Sequence, residues 1–297
     1  MKKHITEFAI AKANSGPYGI AAANDGNVWF TQYKANQISC INKSGEIREY
    51  TVPTPNAKVM CLTVTSSGDI WFTENAANKI GRLTTAGDFT EYALPHPDSE
   101  PYGITEGPEG DIWFTQMKGA RIGKITTSGA IFEYDLPNKE AYPAFITKGS
   151  DNALWFTENQ NNAIGKMTNT GELTEYPIPT PASGPVGIVN GPDGAIWFVE
   201  IIGNKIGRIT VDGNILEYDI PTLHARPHAI AAGKNNDIWF TEWGANKVGL
   251  ISAMDGKILE YNIPTSSAEP HGITCDEDGE IWFALECNKI GYISKHS

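Results

Sequence analysis

Apolar and polar positions alternate through this chain in short bursts, never in a long helical rhythm. The stretch PYGIAAANDGNVWFTQYKANQISCINKSGEIREYTVP contains four apolar runs, YGIAA, NVWFT, QISCIN and EIREY. All are strand-length and rich in residues that suit a pleated surface. NDGN and KSGE, which part them, carry the Asx and Gly residues that tight hairpin turns require. No capped helical segment intervenes, so the stretch predicts four antiparallel strands.

The pattern then repeats. Trp29, Trp71, Trp113, Trp155, Trp197, Trp239 and Trp282 recur at gaps of 42, with a final gap of 43, each inside a WFTE-like segment. Seven four-stranded units of even length predict a seven-bladed β-propeller, all-β, with the first run of each unit lining a central channel. The whole chain, 1–297, reads as one such domain. HITEFAI, residues 4–10, lies 42 residues before EIREYTV. The N-terminus is therefore expected to supply the outer strand of the last blade and close the ring. This overlap and the even period argue against a β-helix or a pair of sandwiches. The repeated tryptophans, and Asn78, Asn162, Asn204, Asn246 and Asn288, read as architecture, because a side chain demanded in every blade serves packing or a turn.

Composition narrows the partners. The net charge is −12, with 35 acids against 23 bases and no basic run, so nucleic acid is not an expected partner. No apolar window is long enough for a membrane span, and no apolar stretch follows the basic start. Cys40, Cys61, Cys275 and Cys287 lack a paired spacing and read as free thiols. A cytoplasmic monomer is the expectation.

Since architecture fixes the shared positions, the positions that vary between blades carry the chemistry. The slot that opens the innermost strand reads Tyr18, Met60, Tyr102, Ala144, Val186, His228 and His271. Two residues earlier stand Gly16, Lys58, Glu100, Tyr142, Gly184, Arg226 and Glu269. The second strand ends in Gln32, Glu74, Gln116, Glu158, Glu200, Glu242 and Leu285, followed by Tyr33, Asn75, Met117, Asn159, Ile201, Trp243 and Glu286. Antiparallel pairing brings the start of one strand and the end of the other to one rim. His228, His271 and Tyr18 are therefore expected to converge from three adjacent blades within about 10 Å. Strand alternation predicts that Glu269 and His271 point the same way across Pro270, with Glu286 approaching from the neighbouring strand.

Two carboxylates suit a hard divalent cation such as magnesium or calcium. An imidazole beside them suits proton abstraction next to a carbonyl, or ester hydrolysis. Trp243, outside the repeated slot, reads either as an aromatic platform for a ligand or as surface packing, and Tyr18, Tyr33 and Met117 make the mouth partly apolar. Glu74, Glu158, Glu200 and Glu242 hold a repeated slot and read as packing residues that also make the funnel acidic. His4, His96, His224 and His296 share no slot and read as ordinary.

With GPYGI around Tyr18, RPHAI around His228, EPHGI around His271 and WFALEC around Glu286, the whole chain resembles the virginiamycin B lyase (streptogramin B lyase) family. The resemblance implies a small cyclic depsipeptide antibiotic as substrate, opened by elimination at its threonyl ester. It implies His271 as the base that removes the threonyl α-proton. Magnesium on Glu269 and Glu286 would stabilise the enolate character that follows, and the products would be a phenylglycine carboxylate and a dehydrobutyrine residue. His228 is implied as a substrate-binding and proton-donating residue, and Tyr18 as a further active-site contact. A metal-dependent esterase or lactonase, and a non-catalytic ligand-binding propeller, are the competing readings.

Overall fold

A computed structural model describes residues 4–295; His296 lies outside the described residues. Every strand expected from the pattern is present. The described residues form seven four-stranded antiparallel sheets, the first built from Pro17–Ala22, Val28–Gln32, Gln37–Ile41 and Ile47–Thr51. In the seventh sheet, Ile5–Ala9 pairs with Lys289–Ile293, register Ile5 to Ile293, outside Ile281–Leu285 and Pro270–Cys275. Innermost strands pack blade to blade around the ring, and Pro270–Cys275 closes it against Pro17–Ala22.

Each WF pair builds a blade from both faces, because successive side chains of a strand point to opposite sides. Tryptophan stacks on the outer strand's tyrosine, as Trp113 does on Tyr134 with ring centroids 5.7 Å apart. Phenylalanine turns the other way and lies fully buried from Phe30 to Phe283. In six blades a glycine faces it, and a Cβ on Gly123 would sit 2.1 Å from Phe114 Cζ; blade 1 has Ser39 there instead. The repeated asparagine is architectural too. Asn36 adopts φ 58°, donates from Nδ2 to the carbonyls of Val52 and Thr54, and accepts at Oδ1 from the Ala57 amide. Asn288 performs the accepting role across the closure, taking the Ser15 amide at 2.7 Å.

The threonine of WFT staples one blade to the next. Thr241 Oγ1 accepts from the Ala229 amide at 3.0 Å and donates to the His271 carbonyl at 2.7 Å. Thr31 does the same between Gly19 and Met60, and Thr115 between Gly103 and Ala144. Blades 5 and 7 carry Val199 and Ala284 in this slot, so valine is sterically accepted there. Thr241→Val is therefore expected to fold but to lose about 1–3 kcal/mol, since a buried amide and a buried carbonyl both lose their partner. The urea midpoint of the variant checks this, and an unshifted midpoint would show that the staple carries no stability.

The second-strand acids differ from the expectation of an acidic funnel. Gln32, Glu74, Gln116, Glu158, Glu200 and Glu242 are all fully buried inside their blades. Each lies near the outer-strand acid of its own sheet, as Gln116 Nε2 shows by donating to Glu133 at 2.8 Å. Strand alternation turns these side chains into the blade, while the following residue stays at the rim. The four cysteines are unbonded, Cys40 and Cys61 buried, Cys275 and Cys287 partly so.

Candidate active site

The rim slot owes its direction to a bulge repeated in every blade. In blade 7, Pro270 pairs with Leu285 and Ile273 with Phe283, so three steps on the inner strand match two on its partner. His271 and Gly272 occupy that irregularity, as Tyr18 and His228 do in blades 1 and 6. A bulge bends the strand and re-aims its side chains, here across the channel mouth. The residue before the first position of the inner strand, a proline in six blades and Val59 in blade 2, is left-handed in all seven, including Glu269 at φ 51°. Glu269 and His271 are therefore brought together by a left-handed turn and a bulge, and not by the simple alternation of an extended segment.

The expected convergence is present. His228 and His271 have ring centroids 4.9 Å apart at 80°, and Tyr18 lies 4.4 Å from His271 and 5.7 Å from His228. Tyr18 Oη is 3.2 Å from His228 Nε2 and 2.5 Å from Tyr102 Oη, forming a chain of three polar tips across the mouth. Both histidines are buried, and Nδ1 of each is enclosed without a hydrogen-bond partner. Nε2 is thus the nitrogen that each presents to the cluster.

Glu286 is the electrostatic centre. His271 Nε2 lies 2.9 Å from its Oε2, while Tyr33 Oη at 2.5 Å and Lys34 Nζ at 2.6 Å both donate to Oε1. The His271 contact, with Lys34 and Tyr33 behind it, holds the Glu286 carboxyl far below the usual carboxylate range despite partial burial. Tyr33, expected to face the substrate, spends its hydroxyl on Glu286. Burial, reinforced by His271, pushes His228 down to about 3, so its ring is neutral at physiological pH.

Glu269, His271 and Glu286 each offer a ligand atom, all within 4.8 Å of one another. Two carboxylates with one imidazole form a donor set that a divalent cation accepts, and the oxygen pair favours a hard one.

Trp243 lies beside His271, ring centroids 6.5 Å apart at 28°. The Arg226 guanidinium covers its ring at 5.5 Å. These two residues and Glu269 line an open pocket of about 450 Å³ that also takes in His224, a residue the sequence leaves ordinary. Met117 joins the apolar cluster of Tyr18, Tyr33 and Tyr102. Below the rim a cavity of about 140 Å³ continues down the channel between Tyr18, Phe145 and His228.

Lys34 and Phe145 escaped the sequence reading, and Tyr102, placed in the rim slot, was given no role there. Phe145 was detectable: its slot, one past the rim, otherwise holds Gly19, Cys61, Gly103, Gly187, Ala229 and Gly272. Lys34 was not, because nothing in its own blade marks it. Of the other histidines, His96 is paired with Glu133 and His4 is exposed.

Comparison with known proteins finds one family along the chain and the same fold in its solved structures. The model of the Virginiamycin B lyase family matches residues 3–293. A solved structure described as a streptogramin B lyase superposes with TM-score 0.96 at 67% identity, covering 98% of this chain and 97% of that one. A catalytically inactive histidine-to-alanine variant of the Staphylococcus aureus virginiamycin B lyase, solved with quinupristin, gives TM-score 0.96 at 62% identity over 99% of both chains. Among curated sequences, a 55-residue segment is 63% identical to the Staphylococcus aureus virginiamycin B lyase, spanning 18% of each chain.

Proposed function

The chain belongs to the virginiamycin B lyase family, and from that premise we propose that it inactivates type B streptogramins by opening their lactone at the threonyl ester through elimination. The observation that carries this reading is the meeting of His271, His228 and Tyr18 around a carboxylate pair at one mouth.

In this reading His271 takes the α-proton of the threonyl residue. The electrons of the broken C–H bond form the Cα–Cβ double bond, and the Cβ–O pair departs with the phenylglycine carboxylate. Atoms balance without water. Glu269 and Glu286 are the residues that would hold magnesium, which when bound would supply positive charge to the carbonyl oxygen that gains electron density. Glu286 also steadies the imidazolium that His271 becomes. His228, neutral in its buried setting, binds by hydrogen bonding, and a departing carboxylate needs no proton from it. Tyr18 fixes His228, and Trp243 with Met117 offers apolar surface to the antibiotic's aromatic groups. Closure of the ring by its own N-terminal strand supports a monomer, and the unbonded thiols accord with a cytoplasmic setting. No helix of the described residues is long and apolar enough to cross a membrane.

Mass spectrometry of a type B streptogramin incubated with enzyme and magnesium tests the reaction. Elimination leaves the mass unchanged and creates an alkene, whereas a product heavier by one water would establish hydrolysis. Adding a chelator is expected to lower turnover by at least about 100-fold, the scale of losing one strong electrostatic stabiliser. Unchanged turnover would remove the metal from the mechanism.

A further inference from the structure

Glu286, one of the two carboxylates read as metal ligands, already has a cation on it. Lys34 Nζ sits 2.6 Å from Glu286 Oε1, on the oxygen that also takes the Tyr33 hydroxyl, while His271 claims the other. Lys34 comes from blade 1 and Glu286 from blade 7, so the contact spans the seam where the ring closes.

Its position is built by the fold. The Lys34 amide donates to the Ser15 carbonyl at 3.1 Å, which fixes the backbone. The side chains of Tyr33 and Lys34 lean over Gly16, where a Cβ would stand 2.8 Å from Tyr33 Cε1 and 3.0 Å from Lys34 Cγ. Lys58, Glu100, Tyr142, Arg226 and Glu269 hold the same slot elsewhere, and a side chain there would crowd this approach. The Lys34 side chain is 34% exposed, so its ammonium has water to move into.

We propose that Lys34 is a resident counter-ion that competes with the divalent cation for Glu286. The inference rests on the reading of Glu269 and Glu286 as metal ligands. A divalent cation reaching Oε1 must displace the ammonium or sit beside it, and either outcome weakens binding, because like charges at contact distance repel even in partly exposed settings. In the absence of metal, Lys34 holds the Glu286 carboxylate in place against His271. Glu269 and Glu286 would thus hold a divalent cation only loosely while Lys34 stays on Glu286.

Calorimetric titration of magnesium, and of manganese followed by electron paramagnetic resonance, into the metal-free full chain tests this without any turnover. Lys34→Met is expected to bind magnesium about tenfold more tightly than the unaltered protein, a modest charge effect at a partly exposed site. Lys34→Arg, which keeps the charge, is expected to restore the weaker affinity, a rescue that a packing role would not produce. Glu286→Gln serves as the control for the site. If the unaltered protein binds metal, Glu286→Gln does not, and Lys34→Met lies within twofold of the unaltered protein or weaker, the Lys34 role is overturned and the metal site stands. If neither the unaltered protein nor Lys34→Met takes up metal, both are overturned.

Discussion

His271→Ala is expected to lower streptogramin turnover about 1,000-fold, the mid-range of what a positioned general base contributes, while substrate affinity stays within a few-fold. The contrast with His228 supports this assignment. Both rings meet at the mouth, but His228 is pushed down to about 3 by burial beside His271, which makes it a poor proton acceptor, and its Nε2 is engaged by Tyr18. His271 instead has Glu286 at 2.9 Å, a carboxylate able to offset the charge that proton uptake creates. Truncation removes the imidazole and leaves Tyr18, Trp243 and the channel walls to bind the antibiotic. Single-turnover mass spectrometry gives the chemical rate, and calorimetry gives the affinity. Turnover within tenfold of the unaltered protein would assign the proton abstraction to another group. His228→Ala is the informative partner: as a binding residue it should raise KM more than it lowers kcat.

Much of this architecture was legible because repetition separates scaffold from chemistry. The 42-residue spacing of the tryptophans and the displaced HITEFAI segment predict both the blades and their closure, and Ile5–Ala9 pairs where the displacement puts it. The rim histidines were legible for the converse reason, as departures from a pattern. What stayed hidden depends on through-space neighbours or on local backbone geometry. The left-handed Glu269 and the bulge at His271 leave no mark in residue type, so alternation gave the right convergence for the wrong reason. Lys34 reaches Glu286 across a seam joining residues 252 positions apart, and only its partner gives it meaning. The buried second-strand acids misled in another way, since a carboxylate at a strand end ordinarily reads as solvated, and only the direction of the side chain settles whether it faces water.

Those buried acids lead to a large expected effect on stability. Burial, with the neighbouring Glu91 or Glu260 carboxylate, pushes Glu74 and Glu242 up to about 8. Among the described residues neither oxygen of either has a donor partner, so an ionised carboxylate there would lack hydrogen-bond compensation for its burial. Blades 1 and 3 show the chemical equivalent: Gln32 and Gln116 donate an amide hydrogen to Glu49 and Glu133 from the same slot. Glu74 and Glu242 therefore carry a proton in the folded protein that the unfolded chain releases near its ordinary value of 4.5. Between about pH 4.5 and 8 the folded state binds more protons than the unfolded one, so stability falls as pH rises, by up to about 1.4 kcal/mol per pH unit for each such group. The stabilisation is complete below that window and lost above it. A Glu74→Gln, Glu242→Gln double variant supplies the donor without a proton to lose. It is expected to match the unaltered protein within about 1 kcal/mol at pH 5, and to exceed it by about 2–4 kcal/mol at pH 8.5. Urea unfolding at the two pH values measures the difference, and the subtraction removes the general repulsion of a chain with net charge −12. Equal pH slopes for the two proteins would mean that these carboxyls are ionised in the folded blade, and that their buried charge is met by a donor other than a shared proton.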